Sequence, residues 1–339
     1  MTKKKGGKTK ESKGNKVEVN PDESDPLILF KHYSKQCSTI GIPVNDAIKA
    51  ELLSDSPNVH CQLLLGPKEK NKSSTNIGDG DCRALMHAIL GNEENDSFKY
   101  TAMEDIRIWS SNLSDDGVIA IAKLLRKSPK LKFLDLSYNH ISTRGASSLG
   151  SSLCSGMNDT LLTLKLDYNV LGSQGVICLA KGLKLNSTLE KLSLNYCNIN
   201  EDGCKALKDI LCFQRTSLES LHIDGNAIGI QGFEVLSKGL EVCKTLKRLS
   251  IAEIGLIPSD DVTSCGEMLR NNKSLEDLDL SRNCIGDANA EKLISLLQDN
   301  KRIKVLKVTS SLSLSLYEKL SRVPIQLKGS KKSKKKKKK

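Results

Sequence analysis

The fold of this chain is decided by a short segment that recurs along it, Leu131-Lys-Phe-Leu134-Asp-Leu136-Ser-Tyr-Asn139-His-Ile141. Leucine or isoleucine occupies positions 1, 4, 6 and 11 of the segment, and asparagine occupies position 9. Segments with this spacing start at Leu161, Leu189, Leu218 and Leu275, and weaker copies start at Met103, Leu246 and Ile303. The eight starts are 28, 30, 28, 29, 28, 29 and 28 residues apart. A period this regular is typical of a protein built from stacked repeats.

The periodicity of each repeat changes after its first eleven residues. Apolar residues at positions 4 and 6 alternate as in a short strand with one buried face. Glycine then occupies position 15 in five repeats, and apolar residues follow at positions 19 and 23, the spacing of one helix face. Each repeat is therefore predicted to be a strand, a loop and a helix. Because such units join parallel strands, we expect an α/β solenoid, a horseshoe with a concave parallel β-sheet and helices on the convex side.

Asparagine at position 9 has a structural explanation, because its amide can satisfy backbone groups of its own loop and of the neighbouring repeat. We assign this role to Asn139, Asn169, Asn226 and Asn283. The motif and the period together resemble the ribonuclease-inhibitor class of leucine-rich repeats, over about residues 77–323. That class is shared by intracellular innate-immune sensors, the GTPase-activating protein of Ran and several ciliary and testis proteins. The resemblance implies a leucine-rich-repeat solenoid.

The sequence divides into four parts. Residues 1–25 and 324–339 are predicted to be disordered Lys-rich tails, because they are poor in apolar residues and rich in charge. Residues 26–76 are predicted to form a helical N-terminal cap and a loop, and residues 77–323 a degenerate first repeat followed by repeats one to eight. In repeat six, aspartate replaces the usual glycine, and Ser259 is expected to begin the helix. This layout resembles the intracellular leucine-rich-repeat proteins of germ cells and ciliary axonemes.

The positive charge of the chain is concentrated at its two ends. The formal net charge is +12, of which residues 1–16 carry +6 and residues 328–339 carry +9, so that residues 17–327 are left with −3. No signal peptide or membrane-spanning run is recognised, and the 11 cysteines show no C-x-x-C pair. We therefore expect an intracellular protein with reduced cysteines, cytoplasmic or nuclear or both, with a ciliary location also open.

No catalytic, metal or cofactor site is predicted from the sequence. We find no nucleophile elbow, phosphate-binding loop, zinc-ligand spacing or dinucleotide-binding fingerprint in a plausible strand-turn-helix context. The enzyme-related alternative is a GTPase-activating protein of the Ran-activator type, which the repeat class suggests. That family carries an acidic C-terminal segment, whereas this chain ends in six lysines. The sequence favours a non-enzymatic scaffold or adaptor that binds a partner protein on the concave face.

The candidate partner-binding residues lie at exposed positions of the strand segments. Tyr138, Tyr168 and Tyr196 occupy position 8 of three consecutive repeats, and they are accompanied by Trp109 and Phe133. Such aromatic residues recur at interface hot spots, although packing of the same side chains on adjacent loops is an equal alternative. The polar candidates on this face are Arg107, Asp135, Lys165, Asp167, His222 and Asp224, and Arg248, Asp279 and Lys307 add to its mixed charge. We expect a folded protein partner rather than a duplex or a membrane.

The C-terminal lysines admit several interpretations. The basic tail consists of Lys331, Lys332, Lys334, Lys335, Lys336, Lys337, Lys338 and Lys339. It is consistent with a nuclear localisation signal, or with weak tethering to an acidic partner, RNA or tubulin by salt-dependent contacts. An inert, solubilising tail is the remaining alternative. No oligomerisation signal is recognised, and we expect a monomer.

Overall fold

A computed structural model describes residues 21–67, 77–91, 98–297, 300 and 302–329. A short 3-10 helix, Pro21–Ser24, precedes helices α1 (Pro26–Ile40) and α2 (Asp46–Leu52). Strand β1 (Gln62–Leu65) and helix α3 (Asp79–Leu90) follow, and eight further strand-helix units complete the chain. Both lysine-rich tails predicted from the sequence lie largely outside the described residues, as does most of the loop predicted before residue 77.

The strands and helices alternate strictly from β1 onward. The remaining strands are β2 (Asp105–Ile108), β3 (Phe133–Asp135), β4 (Thr163–Lys165), β5 (Lys191–Ser193), β6 (Ser220–His222), β7 (Arg248–Ser250), β8 (Asp277–Asp279) and β9 (Val305–Lys307). The remaining helices are α4 (Asp115–Lys127), α5 (Thr143–Ser152), α6 (Gly172–Leu183), α7 (Glu201–Cys212), α8 (Gly229–Val242), α9 (Thr263–Asn271), α10 (Gly286–Leu297) and α11 (Leu314–Gly329).

The strands form one parallel sheet in the order in which they occur along the chain. Each strand pairs with the next in a constant register, so that Leu134 lies beside Ile106 and Leu164, both at the same repeat position. The leucines at positions 4 and 6 point inward and are buried, as in repeat two, where Leu134 and Leu136 are 0% exposed. The predicted α/β leucine-rich-repeat horseshoe is confirmed. None of the helices among the described residues is both long and apolar enough to span a membrane.

The degenerate repeat that precedes repeat one begins earlier than the sequence analysis expects. Strand β1 lies inside the segment assigned to the N-terminal cap, and its residue Leu63 pairs with Ile106 of β2. The boundary at residue 77 is therefore wrong, because the insertion between β1 and α3 breaks the spacing that marks the other repeats. Ile77 and Leu85, in the part of the chain assigned to the degenerate first repeat, are fully buried.

Helices α1 and α2 cover the open end of the solenoid. Leu29, Tyr33 and Ile48 are completely buried at this end. The carboxylate of Glu51, itself 6% exposed, accepts a hydrogen bond from the backbone N–H of Leu64 at 3.3 Å. An edge strand presents unpaired backbone groups that can recruit other chains, and this contact satisfies one of them on β1.

Glycine at position 15 is required by contacts between successive helix starts. The Asp115 carboxylate of repeat one accepts hydrogen bonds from the N–H groups of Ser142 and Gly145 of repeat two, at 2.8 and 2.9 Å. A Cβ atom at Gly145 would lie only 2.6 Å from Asp115 Oδ1. Asp79 makes the same contact with Gly117 at 2.9 Å. Each aspartate thus caps the helix of the following repeat, where it also favours the positive end of the helix dipole.

Two boundaries near the C-terminal end differ from the expectation. Helix α9 of repeat six begins at Thr263 rather than at Ser259. The reason is that Asp260 accepts the N–H of Ile257 and Asp261 accepts that of Thr263, so both carboxylates stabilise turns ahead of the helix. At the end of the chain, α11 continues to Gly329, past the expected boundary at residue 324, since an established helix propagates readily.

Candidate functional site

Residues at position 8 of repeats one to seven share one unusual backbone conformation where the chain leaves each strand. Each has a positive φ of between 49° and 65°, in the left-handed region that most side chains avoid. In repeats one to six the N–H of this residue donates to a carbonyl oxygen of the next repeat, as Tyr138 does to Asp167 at 2.8 Å. These hydrogen bonds hold the conformation in place. We call the set the strand-exit row, and it comprises Ser110, Tyr138, Tyr168, Tyr196, Gly225, Glu253 and Arg282.

Three tyrosines of the strand-exit row form a continuous stack. The ring centroids of Tyr138 and Tyr168 are 4.2 Å apart with an interplanar angle of 11°, and those of Tyr168 and Tyr196 are 4.4 Å apart at 13°. This spacing is close to the separation of neighbouring strands, because successive repeats place equivalent residues in register. Tyr138 remains 52% exposed and Tyr168 40% exposed. The tyrosine stack is therefore ordered by its own contacts while it faces solvent.

The C-terminal end of the tyrosine stack is closed by a glycine and an ion pair. A Cβ atom at Gly225 would lie 2.1 Å from Cε1 of Tyr196, so the ring lies directly over this glycine. The Tyr196 hydroxyl donates to Glu253 Oε2 at 2.8 Å, and Arg282 Nη1 lies 3.2 Å from the same oxygen. The hydrogen bond to Glu253 raises the pKa of Tyr196, and the hydrogen bonds from Tyr196 and Arg282 lower the pKa of Glu253.

Trp109 is not part of this stack. Its ring lies against Gly66 of the preceding repeat, where an added Cβ would come within 2.1 Å of Trp109 Cε2. The side chain is half-buried, and the backbone N–H donates to Leu65 at 3.1 Å. Trp109 thus packs toward the N-terminal cap, which is the packing role that the sequence analysis left open for the aromatic residues.

Phe133 lies on the concave face between two cations. The guanidinium carbon of Arg107 is 4.4 Å from the Phe133 ring centroid, and Lys165 Nζ is 5.5 Å from it on the other neighbouring strand. Arg107 also forms two hydrogen bonds with Asp105, of 2.9 and 2.7 Å, and Lys165 lies 3.7 Å from Asp135. Cation–π contacts and ion pairs together fix this half-exposed cluster.

The carboxylates of Asp167 and Asp224 hold neighbouring repeats together. Asp167 Oδ1 accepts hydrogen bonds from Ser193 Oγ at 2.6 Å and from the N–H of Asn195 at 2.7 Å. Asp224 Oδ1 does the same for Ser250 at 2.6 Å and Ala252 at 2.7 Å. Burial raises the pKa of Asp167. The sequence analysis predicted that these two side chains bind a partner. In the structure their carboxylates form hydrogen bonds that link neighbouring repeats.

The position 9 asparagines bridge adjacent repeats through both ends of the amide. Asn226 Nδ2 donates to the carbonyls of Leu194 and Ile223 at 2.9 and 2.8 Å, while its Oδ1 accepts the N–H of Cys197 at 2.9 Å. A second set of asparagines, buried or half-buried and three residues before a repeat start, forms similar hydrogen bonds and was not recognised in the sequence analysis. The sequence signal that could have revealed this set is the recurrence of asparagine at the same distance from the repeat start, at Asn158, Asn186, Asn272 and Asn300.

The remaining candidate, His222, lies on β6, away from the aromatic residues. Its Nε2 is 2.9 Å from Ser220 Oγ. Across the part of the chain that the structure describes, no group of three or more histidine, cysteine, aspartate or glutamate side chains is arranged to hold a metal ion. The structure therefore brings the three tyrosines into one surface and Phe133, Arg107 and Lys165 into another beside it.

Comparison with known proteins finds similarity to other leucine-rich-repeat proteins. The family described as Leucine Rich repeat matches residues 127–150, 158–180, 185–208 and 271–293. The pig (Sus scrofa) ribonuclease inhibitor is 34% identical over 78% of this chain and 56% of its own length. The mouse (Mus musculus) ribonuclease inhibitor is 28% identical over 61% of this chain and 43% of its own length. A mouse protein named "NACHT, LRR and PYD domains-containing protein 5" is 28% identical over 65% of this chain and 21% of its own length.

The strand-helix units and these matches define a leucine-rich-repeat protein. Its repeats are similar to those of the ribonuclease inhibitors. It spans about half the length of the ribonuclease inhibitors that it matches.

Proposed function

We propose that this protein is a non-enzymatic adaptor that binds a partner protein on the concave face and strand-exit row of repeats one to four. The observation that carries the proposal is the tyrosine stack, an ordered row of aromatic rings of which Tyr138 is 52% and Tyr168 40% exposed. Tyrosine is enriched among interface residues that dominate binding free energy. The ribonuclease-inhibitor relatives, named for an action on another protein, support a binding role.

The stack is suited to binding because its side chains are already fixed. Ordering a mobile side chain on binding costs about 0.5 to 1.5 kcal/mol. Tyr168 is held on both ring faces by its neighbours, and Tyr196 is held further by its hydrogen bond to Glu253. A partner that covers these rings therefore gains contact area without most of that cost. The adjacent Phe133, between Arg107 and Lys165, extends the surface with one apolar ring and two cations.

The charge on the concave face supports a partner of mixed charge. Positions 3, 5 and 7 of the eight repeats hold six aspartates and five lysines or arginines. A surface that attracts a basic nuclease or a nucleic acid needs a coherent field of one sign. We therefore expect no inhibition of a pancreatic-type ribonuclease by the purified chain, measured in a ribonuclease activity assay.

The proposal is tested with a double variant of the stack, Tyr138→Ala with Tyr168→Ala. Both side chains are exposed, so the fold should survive, whereas truncation of Trp109 would open a gap against Gly66. The matched control is Leu185→Ala with Val242→Ala, two exposed apolar residues near the ends of α6 and α8. Partners are captured with each chain, identified by mass spectrometry, and the leading candidate is then purified and titrated.

We expect the tyrosine variant to bind the purified partner at least tenfold more weakly, while the control binds like the parent chain. All three chains should remain folded and unfold in one cooperative transition, with the tyrosine variant less stable by the loss of its ring pairs. Loss of two hot-spot side chains of about 1 kcal/mol or more each accounts for this factor. If the tyrosine variant retains full affinity for every partner captured by the parent chain, the stack is structural and the proposal is wrong.

We further propose that the basic tails localise the adaptor in the cell, by nuclear targeting or by electrostatic tethering to acidic partners. The support is the charge of +9 carried by residues 328–339. Deletion of these residues should change the distribution of the protein between nucleus, cytoplasm and cilium, or weaken its salt-sensitive binding. Unchanged location and unchanged salt dependence would leave the tail without this role.

A further inference from the structure

Cations on the concave face are paired with carboxylates except in the middle of the sheet. Arg107 pairs with Asp105, Lys165 with Asp135 and Lys307 with Asp279, each on the same or a neighbouring strand. Lys191 on β5 and Arg248 on β7 are both exposed, and neither forms an ion pair with any residue that the structure describes. The middle of the concave face thus has two cations without counter-ions.

These two cations flank a group of small hydroxyl side chains. Ser220 of β6 lies between them in register, opposite Lys191 on one side and Arg248 on the other. Two strand spacings separate the cations, which places their backbones about 10 Å apart. Ser220 is 2% exposed, and Ser193 and Ser250 beside it are each 8% exposed. The serines are therefore buried beneath the level of the exposed Lys191 and Arg248 on the strands to either side of β6, and we call the space between these two cations the recess.

His222 completes the recess. It lies between Ser193 and Ser250 in the sheet register, and its Nε2 is within 2.9 Å of Ser220 Oγ. Because Ser220 lies between the two cations, this contact places the imidazole Nε2 close to a group held between them. Hydrogen bonds from such groups to an oxyanion are strengthened by its charge.

Three carboxylates lie near the recess and do not fill it. Asp167 and Asp224 are on the strand-exit side, where the Oδ1 atom of each accepts hydrogen bonds from the serine and the backbone of the next repeat. Asp277 lies beside Arg248 on β8, without an ion pair between them. At positions 3 and 5 of β5, β6 and β7 there is no acidic residue, and the formal charge there is +2.

We infer that this recess binds an oxyanion group, the carboxylate or phosphate of a partner's side chain, between Lys191 and Arg248 with Ser220 and His222 at its base. A concave surface focuses the field of the charges that line it, which raises the local concentration of an anion. The inference deepens the proposed adaptor function by giving it a second contact, in repeats four to six. Its test needs no partner protein, so its failure and that of the tyrosine surface are distinguishable.

The experiment follows the histidine signals of the full chain during a titration with inorganic phosphate. The chain has five histidines, His32, His60, His87, His140 and His222, so that carbon-13 labelling of histidine gives five imidazole signals. His222→Gln assigns one of them, and the other four are internal controls. The pH and the ionic strength are held constant, with chloride replacing phosphate, so that non-specific screening does not contribute.

We expect a saturable shift of the His222 signal alone. In the variant Lys191→Gln with Arg248→Gln, half-saturation should require at least tenfold more phosphate, because two charge-assisted contacts are lost. The matched control, Lys181→Gln with Lys238→Gln, removes two exposed lysines from α6 and α8 and should titrate like the parent chain. A His222 signal that does not move, or that moves equally in the recess variant, overturns the inference.

Two model compounds identify the source of the oxyanion. Titrations with N-acetyl-phosphoserine amide and with N-acetyl-aspartate amide should both shift the His222 signal if the recess binds oxyanions. A several-fold tighter interaction of the phosphoserine compound assigns the site to a phosphorylated partner, and equal interaction assigns it to an acidic one. Absence of any shift with both compounds counts against the site, even if phosphate alone produces one.

Discussion

Substitution of Gly225 by alanine should remove the support of the tyrosine stack without changing any tyrosine. The Cβ atom would lie 2.1 Å from Cε1 and 2.3 Å from Cδ1 of Tyr196. The backbone is held by its hydrogen bonds, whereas Tyr196 lies at the surface, so the ring is the part that moves. Its displacement breaks the stacking with Tyr168 and the hydrogen bond to Glu253.

The expected cost has three parts. Alanine at the Gly225 φ of +65° adds left-handed backbone strain of about 1 kcal/mol. Loss of one aromatic pair contributes about 0.5 to 1.5 kcal/mol beyond area burial. Loss of an exposed hydrogen bond contributes about 0.5 kcal/mol, at the low end of the usual range. We therefore expect Gly225→Ala to lower the free energy of unfolding by about 2 to 3 kcal/mol.

The matched control separates strain from ring displacement. Gly172 has a φ of +61°, and an added Cβ there meets no atom within 4 Å. Gly172→Ala should therefore lose only the backbone part, about 1 kcal/mol. The same loss is expected when Gly225→Ala is introduced into a Tyr196→Ala background, because no ring remains to be displaced. Urea unfolding followed by circular dichroism measures the parent chain, the three single variants and the double variant, and unchanged m-values show that the same cooperative unit unfolds.

Equal destabilisation by Gly225→Ala and Gly172→Ala would refute the reasoning, because it would mean that no ordered ring lies over Gly225. An undiminished effect of Gly225→Ala in the Tyr196→Ala background would refute it independently. The result also bears on partner binding, since Gly225→Ala should weaken binding to the tyrosine surface although every tyrosine is retained.

Three further predictions concern groups inside the solenoid. Asn226→Ala should lower the free energy of unfolding by about 2 to 4 kcal/mol in urea denaturation, because it leaves several buried backbone groups of two repeats without partners. Burial raises the pKa of Cys265 to about 12, so iodoacetamide at pH 8 should alkylate the exposed Cys284 first and leave Cys265 unmodified in the folded chain, as read by mass spectrometry. Burial also raises the pKa of Asp167, so its ionised form is disfavoured in the folded state. The stability of Asp167→Asn relative to the parent chain should therefore increase as the pH rises from 3 to 6. A stability difference that is independent of pH would contradict this.

Much of this architecture follows from local pattern. The spacing of Leu131, Leu134 and Leu136 specifies a strand with one buried face, and the regular period requires its copies to stack. The inter-repeat role of Asn139 also follows, because a buried amide at a strand exit has few partners other than backbone groups. Strand β1 could not be recognised in this way, since the insertion after Leu65 removes the spacing from which the other strands were read.

The candidate site depended on neighbours that are distant in sequence. The sequence placed Tyr138, Tyr168 and Tyr196 at one repeat position, but left open whether they pack or bind. Only the register of adjacent strands, with a left-handed backbone at each of the three, decides that they stack on one another and still face solvent. The same register turns Trp109 toward Gly66 and out of the stack.

The sequence by itself thus determined the repeat and its strand-helix order, because these depend on periodic burial of apolar side chains along one chain. Tertiary structure alone decided which charges are paired and which are free, because an ion pair depends on the side chains of the next strand, about 28 residues away. Asp167 is engaged by Ser193 for this reason, whereas Lys191 and Arg248 lie on either side of Ser220 and form no ion pair with a described residue.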